Sequence, residues 1–353
     1  MTNYTRREAL TILGAGAALA AQSASAATFP KGAIIRTVLK DMPPEALAGG
    51  ATLFHEHLSL RPDFLPKFNA LLGRGGPPAP PLKPGEKYFL EDLDLLTEEL
   101  RIAAKEGVAC IVDGGHPDMG RSLEFLKKLS MSSGMPIVSG AGYYNQPFYP
   151  PEIATMSEDQ ITRELIRQVN TEPYGAFGEI GTWDVMTPDE RKVFRAVGKA
   201  HLATNLPIFT HTNFGKGAME QLDVFESVGV KPQRLVLGHV GGLTQAEVPM
   251  LKDLCKRGAF LGIDRQGGPG DARQVPMVVA LIEAGYADNL LFASDFSNVT
   301  QLKRNGGAGY AKTVTVFVPK LREAGVKEDV LHAILVDNPR RFLAFVPKSK
   351  RKG

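Results

Sequence analysis

The octapeptide ATLFHEHL, residues 51–58, starts as a short apolar and β-branched run and closes on two histidines around a glutamate. Side chains two apart on a strand share a face, so His55 and His57 point one way and Glu56 the other, toward a structural or supporting role. Seven further runs of strand character follow: CIVDGG (110–115), PIVSGAGYY (136–144), GAFGEIG (175–181), PIFTHT (207–212), LVLGHV (235–240), AFLGID (259–264) and LLFASD (290–295). Segments with apolar residues at helical spacing alternate with them, among them EDLDLLTEELRIAAKEG (91–107), TPDERKVFRAVGKAHLATN (187–205) and AKTVTVFVPKLREAG (311–325). Several open on Ser, Thr or Asp and close on Gly, as capped helices do. Alternation of this kind implies parallel strands with helical crossovers, and eight repeats imply a closed (β/α)8 TIM barrel. The count, and the lack of a glycine-rich phosphate loop after the first strand, disfavour an open doubly wound sheet.

The length of 353 residues suits one such barrel, and 43% hydrophobic with 22% charged residues is ordinary for a globular chain. Residues 1–26 stand apart. Arg6 and Arg7 precede an alanine-rich apolar stretch that ends on Ala24, Ser25 and Ala26, the pattern of a twin-arginine export signal with a small-residue cleavage site. The apolar run is shorter than the roughly 20 residues of a membrane span. The expectation is a periplasmic or secreted protein with no stable membrane anchor after cleavage, residues 27–353 forming one barrel domain with a short basic tail. The net charge of +3 is concentrated in the signal and in the tail KSKRKG, so the body is near neutral and offers no nucleic-acid face. The two cysteines, Cys110 and Cys255, read as buried free thiols.

Two irregular stretches break the rhythm. LLGRGGPPAPPLKPGEKY (71–88) reads as a long loop after the first strand, and LKRNGGAGYAK (302–312) as a glycine-rich loop after the eighth. Both fall on the face where barrel active sites lie, and both are candidates for substrate contacts.

Chemistry gathers at the strand ends. His55 and His57 end the first run, Glu179 the fourth, His211 the fifth, His239 the sixth and Asp295 the eighth. Buried carboxylates without partners are destabilising, and divalent metals would satisfy six such residues at once. Six ligands suffice for two ions. His116, in DGGHPDMGR, lies near the mouth but outside the ligand pattern; it is a candidate substrate contact or ligand partner. His201 and His332 lie in helical segments and read as structural.

These residues resemble the phosphotriesterase family of the amidohydrolase superfamily. The likeness is carried in order by HEH (55–57), FTHT around His211, LGHV around His239 and ASD ending in Asp295. It implies that His55, His57 and Asp295 bind a buried metal, that His211 and His239 bind an exposed one, and that the fourth-strand residue bridges both. The best-known members bridge with a carbamylated lysine. Here the residue is Glu179, which brings the same single negative charge and two oxygens without needing CO2. The Glu-bridged branch, the phosphotriesterase homology proteins, also shares GEIGT, GYYNQPFYP, THTNFGKGAMEQL and LKRNGGAGY with this chain.

The resemblance implies a hydrolase in which a hydroxide shared by two divalent ions attacks a carbonyl or phosphoryl centre and Asp295 carries the proton. Zn²⁺ suits the donor set, and Mn²⁺, Co²⁺ or Fe²⁺ also fit. Tyr144 and Arg265 match a tyrosine and an arginine of lactonase-like members and favour a small-molecule carboxyl ester, lactone or amide; barrel packing and a rim salt bridge are their alternatives. Phosphotriester or other phosphoester hydrolysis is the rival activity, and a catalytically silent periplasmic binding protein the rival class. A homodimer is compatible with the fold.

Overall fold

The computed structural model describes residues 27–73, 85 and 87–348. The expected export signal, most of the proline-rich stretch and the end of the basic tail lie outside these residues. A two-residue antiparallel pair, β1 (Ile35–Arg36) and β2 (Asp41–Met42), precedes the barrel. Eight parallel strands follow at the eight expected places: β3 (Ala51–Glu56), β4 (Val108–Asp113), β5 (Ile137–Ala141), β6 (Ala176–Gly181), β7 (Ile208–His211), β8 (Leu235–Leu237), β9 (Phe260–Ile263) and β10 (Leu290–Phe292). Each is hydrogen-bonded to the next in chain order. The seam between β10 and β3 is joined past the strand ends, where Asp295 N–H donates to His55 O at 3.2 Å and His57 N–H to Phe296 O at 3.1 Å. The chain is a TIM barrel.

Alternation along the strands divides the core in two. Phe54, Val112, Val138, Phe209, Val236 and Leu291 fill the barrel interior, closed below by Ile35, Leu47 and Phe342. Their neighbours Phe177, Ile208, Leu235, Leu237, Leu290 and Phe292 face outward onto the helices. The crossover helices sit where the helical spacing places them, for example Leu93–Lys105 and Pro188–Thr204. The latter opens on a Thr187/Glu190 capping box and ends on Asn205 in the left-handed conformation.

The strands are shorter than their sequence runs, and the difference positions the site. His239, Arg265 and Asp295 each have φ between 49° and 60°, so the backbone leaves extended geometry just past β8, β9 and β10. These side chains are aimed by tight turns and not by strand alternation. Two strands also slip register, β3 between Leu53 and Glu56 and β6 between Phe177 and Ile180. Unbroken alternation from the inward Phe54 and the outward Phe177 would send His55 and Glu179 to the helix layer. The irregularities turn both into the mouth. One further helix, Phe64–Leu71, lies outside the eight expected and stands over the same mouth.

Candidate metal centre

Glu179 is the hub. Its Oε1 lies 3.4 Å from both His55 Nε2 and His57 Nε2, and its Oε2 lies 2.9 Å from His211 Nδ1 and 3.4 Å from His239 Nε2. Asp295 Oδ1 is 3.2 Å from His57 Nε2 and 3.9 Å from His55 Nε2. All six expected ligands converge, and every one except Asp295 is fully or almost fully buried. Gly114 makes room for them, since a Cβ there would stand 2.7 Å from His55 Cδ2 and 2.8 Å from its Nε2.

The donor set fits divalent cations. His55, His57 and Asp295 present donor atoms close enough to share one ion, and so do His55, Glu179 and His239. The first trio is the set inferred for the buried metal. His55 Nε2 is buried with no hydrogen-bond partner, an expense that an ion would relieve. His211 approaches through Glu179 Oε2 without completing a trio of its own.

Charge follows the same pattern. Burial raises the Glu179 carboxyl, but His55, His211 and His239 outweigh it and hold it well below the usual carboxylate range. Asp295, which burial would also raise, is drawn well down by His57, His239 and Arg265. Burial and the neighbouring His239 lower His211 to about 4, leaving its ring neutral and able to ligate.

Asp264 was not among the sequence candidates. Fully buried just past β9, its Oδ2 lies 3.3 Å from His55 Nδ1 and 2.8 Å from His239 Nδ1, and it accepts from His239 N–H at 3.2 Å. It backs two of the expected ligands at once, on the ring side opposite the Nε2 atoms that face the centre. Its sequence signal was the one that marked Asp295, an acidic residue closing a strand run.

The remaining candidates fall around this core. Tyr144 OH is 3.1 Å from His211 Nδ1, and burial with the Glu179 charge holds its phenol well above 10. Arg265 Nε–H donates to Asp295 Oδ2 at 2.9 Å, the salt bridge left open as its alternative role. His116 is fully buried, and burial lowers it to about 3; its Nδ1 is 3.8 Å from Asp118 Oδ1, and it makes no ion pair with the six ligands. Glu56 turns away to the seam. His201 bonds Leu206 O just past the end of its helix, and Cys110 and Cys255 are free, buried thiols.

This fold recurs in known proteins. The model of the phosphotriesterase family matches residues 35–343. The chain belongs to the phosphotriesterase family. It is similar to the phosphotriesterase homology protein of Escherichia coli (strain K12), 29% identical over 263 residues that cover 72% of this chain and 89% of that one. The structure of the E. coli protein, complexed with phosphate in its active site, matches with a TM-score of 0.74 at 26% identity, over 84% of this chain and 99% of that one. The N-acetyltaurine hydrolase of Salmo salar is 27% identical over 345 residues, 88% of this chain and 98% of that one. The lactonase Lmo2620 of Listeria monocytogenes gives a TM-score of 0.75 at 26% identity, covering 88% of this chain and 98% of that one. Family and relatives make this chain a hydrolase of the phosphotriesterase family.

Proposed function

We propose that the protein is a binuclear metal-dependent hydrolase of a carboxyl ester, lactone or amide. The observation that carries this reading is the division of Glu179, with Oε1 turned to His55 and His57 and Oε2 to His211 and His239. A carboxylate shared in this way suits two ions, with Zn²⁺ the best match to the donors and Mn²⁺, Co²⁺ or Fe²⁺ as alternatives. Two bound divalent ions would supply hydroxide near neutral pH and a Lewis acid for the carbonyl oxygen.

The chain's own groups do the rest. Asp295 borders His57 through Oδ1 and is held by Arg265 through Oδ2, so its carboxylate is fixed where it can take the attacking water's proton and return it to the leaving oxygen or nitrogen. Tyr144 keeps its proton and offers an O–H beside His211 to a carbonyl oxygen. Asp264 keeps two imidazoles in place throughout.

Carboxyl chemistry is supported by the relatives named for hydrolysis of an amide, N-acetyltaurine, and of lactones. Phosphoester hydrolysis is the second reading, favoured by the phosphate in the active site of the E. coli relative. Residues 1–26 support twin-arginine export, which would deliver the folded, metal-loaded protein to the periplasm or medium. The test is elemental analysis of protein from the exported fraction, then turnover on lactones, aryl and alkyl esters, N-acyl amides, aryl phosphates and phosphotriesters at one metal loading. Two equivalents of metal with preferred turnover of a carboxyl derivative are expected. Preferred phosphotriester turnover, or none on carboxyl derivatives with both metals bound, would reject it.

A further inference from the structure

On the His211 side of the centre, three separate segments bring aromatic rings together. Phe68, from the unexpected helix Phe64–Leu71, stands edge-on to His211, 5.9 Å between centroids at 88°, and edge-on to Trp183, 5.7 Å at 88°. It also lies 6.3 Å from Tyr144, whose ring is 4.9 Å from His211. Behind this layer Phe64 and Phe148, 4.8 Å apart, both pack on Tyr144. The wall therefore runs without a break from the metal centre outward.

Phe68 and Trp183 remain half-buried, and Leu71 and Val185, three and two residues beyond them in the chain, are 42% and 76% exposed. Aromatic surface left open beside a reaction centre marks a ligand contact. Among the described residues, Asp184 and Arg265 beside it are ion-paired, and Lys67 is bonded to a backbone carbonyl. Lys67 Nζ donates to Pro147 O at 2.7 Å and lies over the Phe148 ring, Asp184 is held by Lys216 at 2.6 Å and by Asn213, and Arg265 is taken by Asp295 and the Phe214 face. The faces that Phe68 and Trp183 present carry no formal charge, and Lys67 is the one member of this set held by a neutral carbonyl and not by a carboxylate.

We infer that Phe68 and Trp183 hold the non-reacting part of the substrate, and that this part is an uncharged, planar apolar group. The inference rests on the hydrolase reading and narrows its substrate class. A ring lodged there gains edge-to-face contact with both side chains while its ester or amide reaches the His211 side of the centre. The wall favours aryl or benzyl derivatives over short alkyl ones and disfavours an anionic tail such as a sulfonate.

Two measurements on the metal-loaded full chain test this. Trp183 is the sole tryptophan, so its emission reports on the wall alone. Benzyl alcohol, which cannot be hydrolysed, is expected to shift that emission saturably, more tightly than benzenesulfonate, and the shift should vanish in Phe68→Ala. Turnover of benzyl acetate and ethyl acetate, which share an acyl group and have similar leaving groups, is the second. Phe68→Ala and Trp183→Leu are each expected to cut the benzyl preference about tenfold, through KM, with ethyl acetate turnover falling less than benzyl acetate turnover and metal content within twofold of wild type. An unshifted Trp183, tighter binding of benzenesulfonate, or an unchanged benzyl preference in both variants would overturn the inference. If neither ester is cleaved but benzyl alcohol still shifts Trp183, the simple-ester part of the proposed function falls and the aromatic site stands.

Discussion

Glu56 on β3 grips Ser294 across the barrel seam. Its Oε1 accepts from Ser294 N–H at 2.7 Å, and its Oε2 accepts from Ser294 Oγ–H at 2.7 Å and Phe296 N–H at 2.8 Å. One side chain thus reinforces the backbone closure of the ring of strands beside two expected metal-ligand positions, His55 and Asp295. Tyr310 adds to the closure by donating to His57 O at 2.9 Å.

Burial pushes the Glu56 carboxyl from 4.5 up to about 7, against the pull of Ser294, Lys312 and Phe296. A carboxyl whose pKa rises on folding binds its proton more tightly in the folded chain. Its stabilising share is complete below pH 4.5 and is lost as pH rises through 7, a difference on the order of 3 kcal/mol. Glu56→Gln removes this dependence, yet its amide presents N–H groups to backbone donors and leaves one unpaired, at about 1–3 kcal/mol. Urea unfolding of metal-free protein at pH 5 and pH 8 should show the variant less stable at pH 5, with a smaller fall to pH 8 than wild type. An equal fall in both proteins would mean that Glu56 does not titrate in this window.

Glu179→Ala removes both arms of the hub. The protein is expected to drop from two equivalents of metal to one or none while its far-UV circular dichroism stays that of a barrel, because β6 keeps its backbone pairing to β5 and β7. Elemental analysis after gel filtration reads this directly. Retention of two equivalents would remove Glu179 from its bridging position.

Much of this centre was legible from residue types alone, because eight β-branched runs in alternation with helices fix the barrel and ligand-type side chains at run ends fix the mouth. Asp264 escaped because the same signal, an acid at a strand end, belongs equally to a ligand and to a residue that braces ligands. Only the direction of its carboxylate, onto the Nδ1 side of His55 and His239, separates the two. The register slips at His55 and Glu179 were likewise invisible, since alternation can be counted from either end of a run. The helix Phe64–Leu71 escaped for another reason. It is short, carries Pro66 in its first turn and has no side-chain cap, so little in its local sequence favours it. The aromatic contacts of Phe64 and Phe68 hold it in place.

Asp264→Asn tests that bracing role. The carboxylate faces two imidazoles and accepts a backbone N–H, and the amide keeps the size but loses the charge and one acceptor. Metal affinity is expected to fall about 10–100-fold, with both ions still bound at saturating concentration. Competition against a chromophoric chelator gives the number. Affinity within twofold of wild type would show that the two rings are fixed by other contacts.

Asp295→Asn separates proton transfer from ligation. The amide oxygen of the variant can accept from Arg265 or face His57, the two shortest ion-pair contacts of the native carboxylate, so the size and part of the bonding are preserved while the base is lost. If Asp295 carries the proton, kcat falls by about 10²–10⁴ with two equivalents of metal still bound, since that is what a positioned general base contributes. If Asp295 serves only as a ligand, metal is lost and excess metal restores full turnover. Stoichiometry and kcat must therefore be read on the same sample, across a range of added metal. Wild-type turnover with both metals retained would take the proton away from Asp295 altogether.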